Sequence, residues 1–321
     1  MKHFFIINPV AGKADPAREM VPKIAAAFAG RQDSYVVYTT KAPRDAVEYV
    51  RRQCGDPAHT GRELRFYACG GDGTAREVAS GILDFPRASV GLFPCGSGND
   101  FIRSFPHRDF TSVPAQLAGE VVRADAIRFN GMVCLNLCNA GLDADVASNM
   151  PRFKRLPGVS GSGAYNLSIV YTFFHKLGCR SRIVLDDGPV VETNAILTVM
   201  GNGQFYGGNY RGAPAADPFD GLMDVCMVPR ISRPMILKII GKYKKGLHFV
   251  DPDLKRLITY ARCRKISIRY DSPITLCADG ECFQDDHIDA EVLPGAVRLL
   301  LPPRLGAALW EEPVLAGSAR P

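Results

Sequence analysis

The sequence predicts two units, a Rossmann-like α/β domain built on a parallel sheet and then a mainly antiparallel β-sandwich, with a ligand cleft between them. Three observations carry this expectation. Up to about residue 128, short apolar runs alternate with longer runs of helical period, the texture of strands joined by helices across a parallel sheet. From Val121 onward, strand-like runs follow one another with turn signals between them, as in an antiparallel fold. Three of the early strands also end in glycine-bearing turns, and in open α/β sheets ligands gather outside the carboxyl ends of the strands. A chain of 321 residues is more than one typical core needs.

The elements follow in order. The apolar run His3-Phe4-Phe5-Ile6-Ile7 is a strand that stops at Asn8-Pro9-Val10-Ala11-Gly12-Lys13. Helical periods near 16–29 and 43–53 flank a second strand near 34–39. A third strand, near 64–69, runs into Cys69-Gly70-Gly71-Asp72-Gly73-Thr74. There Thr74 and Glu77 stand at capping-box spacing, which predicts a helix over 74–83. A fourth strand near 89–93 ends in Pro94-Cys95-Gly96-Ser97-Gly98-Asn99-Asp100, ahead of a helix near 99–105. Beyond these, strands are expected over 132–138, 182–185, 195–200, 223–228, 265–270 and 274–277, with turns at Asp186-Asp187-Gly188-Pro189 and Asp220-Gly221. The unit boundaries fall at 1–128 and 129–302, with a tail over 303–321.

The turn at Gly70–Thr74 is the most informative stretch. Glycines at a strand-to-helix junction let the backbone approach an anion closely, and a helix N-terminus offers it free N–H groups. Asp72 sits in the middle of this cradle, where its charge would repel phosphate oxygens unless a divalent cation lay between them. A Mg–nucleotide site follows as the local expectation, against a plain capped turn. Neither standard phosphate fingerprint is present: Gly12-Lys13 lacks the upstream glycine of a Walker loop, and no G-x-G-x-x-G follows a strand.

The ordered set Asn8-Pro9-x-x-Gly12, Gly70-Gly71-Asp72-Gly73-Thr74, Gly96-Ser97-Gly98-Asn99-Asp100 and Asp279-Gly280-Glu281 resembles the catalytic domain of the diacylglycerol kinase family, and most of all its soluble bacterial lipid kinases. The third motif more often carries Thr where Ser97 stands here; both supply a hydroxyl. The resemblance implies an ATP- and Mg²⁺-dependent kinase acting on the hydroxyl of a diacylglycerol-like lipid, and a chain that returns to the first unit at its end, which suits Val297–Leu301 and the tail over 303–321. It implies that Asn8, Pro9, Gly12, Thr40, Gly70, Gly71, Asp72, Gly73, Thr74, Glu77, Gly96, Ser97 and Asn99 hold the nucleotide, with Asp72 reaching the metal through water. It places a general base in Asp279-Gly280-Glu281, Glu281 first and Asp279 second, where carboxylates at i and i+2 would project to one side of an extended chain. A second, structural Mg²⁺ is implied at Asp217-Pro218-Phe219-Asp220-Gly221-Leu222, through the Asp220 side chain and the carbonyls of Asp217 and Leu222. Two alternatives stay open: a small-molecule kinase of the NAD kinase type, which shares the GGDGT turn, and a non-catalytic lipid- or nucleotide-binding regulator.

Composition agrees. Hydrophobic content of 46% and charged content of 22% are ordinary for a soluble protein. No apolar run approaches the roughly 18–20 residues that span a bilayer, and Asn8-Pro9 interrupts any signal-peptide layout, so a cytoplasmic protein is expected. Ten cysteines without a C-x-x-C read as reduced, mostly buried thiols. The net charge of +6 is uneven: between Pro229 and Tyr270 twelve basic residues face two acidic ones. There Lys238, Lys242 and Lys245 share a helical face, which suggests peripheral contact with an anionic membrane carrying the lipid substrate. No nucleic-acid motif accompanies this stretch, and a homodimer is the other partner considered.

Overall fold

The computed structural model describes residues 1–305 apart from 97, 157, 158, 160, 175–177 and 208. Ser97 and the part of the expected C-terminal return from 306 onward therefore lie outside the described residues. The first unit runs β1 (Lys2–Ile7), α1 (Ala17–Phe28), β2 (Ser34–Thr39), α2 (Asp45–Gly55), β3 (Leu64–Gly70), α3 (Asp72–Ile82), β4 (Ala88–Pro94) and α4 (Val113–Leu117). The second continues with β5 (Glu120–Phe129), β6 (Met132–Cys134), β7 (Leu137–Gly141), α5 (Leu142–Lys154), α6 (Gly161–Phe173), β8 (Cys179–Leu185), β9 (Val191–Gly201) and β10 (Met223–Pro229). It closes with α7 (Arg233–Lys244), α8 (Pro252–Leu257), β11 (Thr259–Cys263), β12 (Lys265–Ala278) and β13 (Glu281–Leu301).

The first sheet is parallel, in the order β4-β3-β1-β2. Its strands are apolar on both faces because helices cover both. Phe4 and Ile6 pack with Phe66 and Ala68 against α2 and α3, while Phe5 and Ile7 pack with Tyr67 and Cys69 against α1 and α4. The strand order reverses between β1 and β3, and that switch point is where a doubly wound sheet opens a crevice for a ligand. The second unit is strand-rich and mainly antiparallel, through β11-β10-β9-β7-β12-β13, with β8 pairing both β9 and β12.

β13 joins the units. Its first half pairs with β12, it pairs with β5 from Ala290 onward on both sides of Pro294-Gly295, and Leu299 lies opposite Val90 of β4 in parallel. Val297, Leu299 and Leu301 belong to the core of the first unit, so the chain goes back there before residue 303.

Four local expectations are corrected. Helix α3 begins at Asp72 with Gly71 as its N-cap, so Thr74 and Glu77 form no capping box. Thr74 is instead buried and accepts from Asn8, and Glu77 accepts the main-chain N–H of Arg44, which has a positive φ. The helix expected near 99–105 is a single 3₁₀ turn, Phe101–Ser104. The strand expected over 132–138 breaks in two, for a reason that lies in the site below. The runs 265–270 and 274–277 are one strand, β12, with a register shift between Arg269 and Ile274.

Asp143, on the first turn of α5, is half-buried and accepts a hydrogen bond from the Tyr206 hydroxyl. Burial raises its carboxyl to about 6 despite that bond. A folded-state value above the unfolded one means the associated stability is fully present below about pH 4 and is lost as pH rises through about 6. Asp143→Asn should therefore stabilise the fold at about pH 8 by up to roughly 3 kcal/mol, raising the thermal midpoint there, and bring little gain near pH 4. Melting curves at the two pH values check this; an equal difference at both would mean that Asp143 does not titrate as its burial dictates.

Candidate active site

Three loops at the carboxyl ends of β1, β3 and β4 interlock. The amide of Asn8 donates to the Thr74 hydroxyl at 3.2 Å, and its side-chain oxygen accepts from the Val10 N–H at 3.1 Å. Gly12 has φ +76°, and a Cβ there would lie 2.5 Å from the Cys95 carbonyl oxygen, so the first loop presses directly on the third. The second and third loops touch at Gly71 and Gly96, where a Cβ on Gly96 would run into the Gly71 Cα. Cys95 and Gly96 donate their main-chain N–H groups to the Gly70 carbonyl, and the Asn99 amide closes the third loop onto the Gly96 carbonyl at 2.6 Å.

Asp72 ties the second loop to the third. Its carboxylate accepts the main-chain N–H groups of Asp100 at 2.9 Å and of Phe101 at 3.2 Å, across 28 and 29 residues. Those two donors satisfy part of the charge that, from sequence, only a cation would balance. An ionised carboxylate offers about four lone-pair sites, so accepting two N–H groups leaves acceptor capacity on Asp72. The glycine cradle and Asp72 together fit a phosphate held with a divalent cation. Thr40 follows β2, with its N–H on the Ile7 carbonyl, which places it beside the end of β1.

The fourth motif is a tight hairpin turn between β12 and β13. Ala278 pairs with Glu281, and both Asp279 and Gly280 have positive φ, as a type I′ turn requires. The two carboxylates do not project to one side, because Asp279 is left-handed rather than extended. Its side chain turns inward and is 9% exposed. One oxygen accepts from the Asn136 and Leu137 N–H groups and the Cys134 thiol, each at 3.0 Å, and the other from the Leu135 N–H at 2.7 Å. This is why the chain breaks between β6 and β7: the donors of residues 135–137 face a carboxylate instead of a neighbouring strand. Burial, aided by the negative charge of Asp72, raises the Asp279 carboxyl above its ordinary range, against the pull of these donors.

Glu281 faces outward, half exposed, and pairs with Arg76. Arg76 lies one helical turn after Asp72 on α3, so the two share a helix face. The glycine cradle, Asp72, Arg76 and Glu281 thus meet at the junction of the two units.

The segment expected to hold a structural cation is differently arranged. Asp217 caps its own turn by accepting the Phe219 N–H, and Asp220 accepts the Leu222 N–H while its other oxygen pairs with Arg262. The Asp217 carbonyl accepts the Asp220 N–H at 3.4 Å. Arg262, itself partly exposed, meets one Asp220 oxygen, and a cation held by the Asp220 side chain and the Asp217 and Leu222 carbonyls would take that place. The residue that organises this region is Asp125, which is 2% exposed. Its carboxylate accepts the N–H groups of Gly221 and Gly295, both at 2.7 Å, and its N–H donates to the Pro218 carbonyl. Asp125 and Arg76 were not legible as functional: each sits alone in its stretch, with no spacing to mark it.

The comparisons agree with the geometry. Residues 2–129 match the diacylglycerol kinase catalytic domain, and residues 136–301 match the YegS C-terminal NAD kinase beta sandwich-like domain. The chain belongs to this family of lipid kinases. A relative from Chromohalobacter salexigens, described as a YegS-like lipid kinase, is 28% identical over 263 residues, covering 77% of this chain and 81% of that protein. A Staphylococcus aureus protein described as a lipid kinase is 28% identical over 239 residues, covering 73% and 76%. Among solved structures, one described as a diacylglycerol kinase of Bacillus anthracis superposes with a TM-score of 0.72 at 25% identity, covering 94% of this chain and 97% of that one. A yeast NADH kinase superposes with a TM-score of 0.53 at 11% identity and shows the shared fold.

The two carboxylates of the hairpin differ in what they hold. Asp279→Asn turns an amide toward donors that need an acceptor, and should cost roughly 2–4 kcal/mol of stability. Glu281→Gln loses a partly exposed ion pair, at under about 1 kcal/mol. Urea unfolding of both variants checks this; equal losses would mean that Asp279 is not what secures the break between β6 and β7.

Proposed function

We propose that this chain is an ATP- and Mg²⁺-dependent lipid kinase that transfers the γ-phosphoryl group to the hydroxyl of diacylglycerol or a similar lipid, giving phosphatidic acid or an analogous phospholipid. The observation that carries this is the Arg76–Glu281 pair, which sets a half-exposed carboxylate from the second unit beside the glycine cradle and Asp72 of the first. Phosphoryl transfer asks the protein for positioning and charge compensation more than for covalent chemistry. When bound, Mg²⁺ would offset the charge of the phosphates. Asn8, Gly12, Thr40, Gly70–Thr74 and Asn99 would hold the nucleotide, with Asp72 supplying the carboxylate for the metal. Glu281 would take the proton of the lipid hydroxyl, oriented by Arg76. Asp279, whose oxygens are taken by four donors, would hold the turn in place rather than serve as base.

Lipid binding would occur at a membrane surface. No helix among the described residues is long and apolar enough to cross a bilayer. Exposed apolar side chains cluster on two helices: Leu167 and Val170 on α6, with Phe174 just after it, and Leu237 on α7. Lys238 follows Leu237 on α7 and Lys245 caps that helix, whereas Lys242 is paired with Asp251 at 2.7 Å and contributes less free charge than its place on the helix suggests. The other face of α7, through Ile236, Ile239 and Tyr243, is docked on the core, so the helix is a fixed edge of the protein.

The activity is tested by incubating the protein with labelled ATP, Mg²⁺ and a panel of diacylglycerol, monoacylglycerol, sphingoid lipid and NAD. A labelled lipid is expected. Glu281→Gln should remove the label while leaving ATP affinity near normal, and Asp72→Asn should lower turnover by roughly 10²-fold or more. Label on NAD alone would transfer the chain to the small-molecule kinases, and no label on any acceptor would favour a non-catalytic regulator.

The membrane contact is tested by vesicle co-sedimentation. At about 1 kcal/mol per basic residue, replacing Lys238 and Lys245 with Gln should weaken binding to anionic vesicles by roughly 10–30-fold at low salt, and less at high salt. Lys242→Gln should matter less. Equal binding by parent and double variant would reduce this face to ordinary solvated surface.

A further inference from the structure

Cys277 and Cys282 stand directly opposite each other in the β12–β13 hairpin, one residue pair away from the turn. In a two-residue hairpin the pair next to the turn, here Ala278 and Glu281, exchanges main-chain hydrogen bonds, and the following pair does not. Cys277 and Cys282 are therefore a non-hydrogen-bonded pair, whose Cα atoms approach to about 4.5 Å with side chains on one face. That separation lies within the range a disulfide spans, at its short end. Both are free thiols; Cys277 is buried and Cys282 is half-buried. Cys282, half-buried, is the sulfur a reagent reaches, and a cavity of about 260 Å³ lies further along the same face, lined by the next pair, Thr275 and Gln284, together with Asp145.

We propose that Cys277 and Cys282 are a redox-modifiable dithiol, which a peroxide closes into a disulfide across the hairpin that carries Glu281. The more exposed sulfur of Cys282 attacks the peroxide; the O–O bond breaks, hydroxide leaves and takes up the Cys282 thiol proton as water, and Cys282 becomes a sulfenic acid. The Cys277 sulfur then attacks the Cys282 sulfur; the S–S bond forms, the S–O bond breaks, and water leaves with the Cys277 proton. Two thiols are oxidised and one peroxide is reduced to two waters. The neighbouring Cys277 thiol draws the Cys282 thiol below its ordinary range, which favours Cys282 as the attacking sulfur. A link made at the short end of the allowed separation is readily reopened by a dithiol.

The consequence for turnover rests on the function proposed above. Cys282 adjoins Glu281 and Cys277 is two residues from Asp279, so the strain of a link between strands this close shifts the hairpin and with it the carboxylate that Arg76 holds.

The test treats the full chain with hydrogen peroxide, alkylates the remaining thiols, digests with trypsin and weighs the peptide from Tyr270 to Arg298, which holds both cysteines and no other. Expected is a peptide lighter by two hydrogens and resistant to alkylation, returning to two alkylated cysteines after dithiothreitol. Cys282→Ser, a half-buried position, should fold and fail to form the link, and lipid phosphorylation by it should resist a peroxide dose that lowers the parent's at least several-fold. Two alkylated cysteines in that peptide after peroxide, or a link of either one to Cys134 or Cys138, would overturn the proposal. The mass readout stands even if the chain phosphorylates no lipid, so failure of the dithiol and failure of the kinase assignment are told apart.

Discussion

A buried carboxylate with four donors holds the architecture of the site. Asp279 accepts from Cys134, Leu135, Asn136 and Leu137, and so fixes where β6 ends, where β7 begins and how the β12–β13 turn lies against both. Taking a carboxylate out of water is costly unless its lone pairs are met, and here main-chain N–H groups, which would otherwise be orphaned at a strand break, meet them. Two liabilities cancel each other. Because the turn is pinned from inside, the residue two places on, Glu281, is presented outward at a defined point, where Arg76 receives it.

The same logic runs through the first unit. Asp72 begins a helix, where a negative charge is favoured by the helix dipole, yet it also caps the next loop through the N–H groups of Asp100 and Phe101. Its loop meets its neighbour at Gly71 and Gly96 without a side chain on either, so the two backbones close to a separation that alanine at Gly96 would prevent. A rigid cradle of this kind is what phosphoryl transfer requires, since most of the rate comes from atoms already in position.

Much of this was legible in the sequence, and the rest was hidden for identifiable reasons. The strands of the first unit are apolar throughout because both faces are covered, and the glycine turns mark their ends, so β1, β3 and β4 and the loops after them could be read directly. Local spacing misled at Thr74 and Glu77: a capping box needs both side chains to turn back on their own helix, and here Asn8 and Arg44, 66 and 33 residues away, take them instead. The break in 132–138 was invisible because its cause, Asp279, lies more than 140 residues downstream. The Arg262 partner of Asp220 was likewise out of view, because it is 42 residues off. In each case the sequence shows a group's chemistry, while tertiary contact decides which partner satisfies it.

The junction between the units bears on how the cleft can work. β13 is one strand from Glu281 to Leu301, paired with β12 and then β5 of the second unit and, at Leu299, with β4 of the first. The point where it passes between them, Pro294-Gly295, is where a hinge would be easiest, because Gly295 has a positive φ and the ladder is interrupted there. Asp125 acts against that freedom: one oxygen holds the Gly295 N–H and the other the Gly221 N–H, while the Asn202 amide bonds to its carbonyl. Charge-assisted bonds of this kind are roughly twice as strong as neutral ones, and these are buried. The two halves of the site, the glycine cradle and the Glu281 hairpin, are therefore held in register by a continuous strand and a buried clamp, and Arg76–Glu281 closes a gap whose width the backbone has already set.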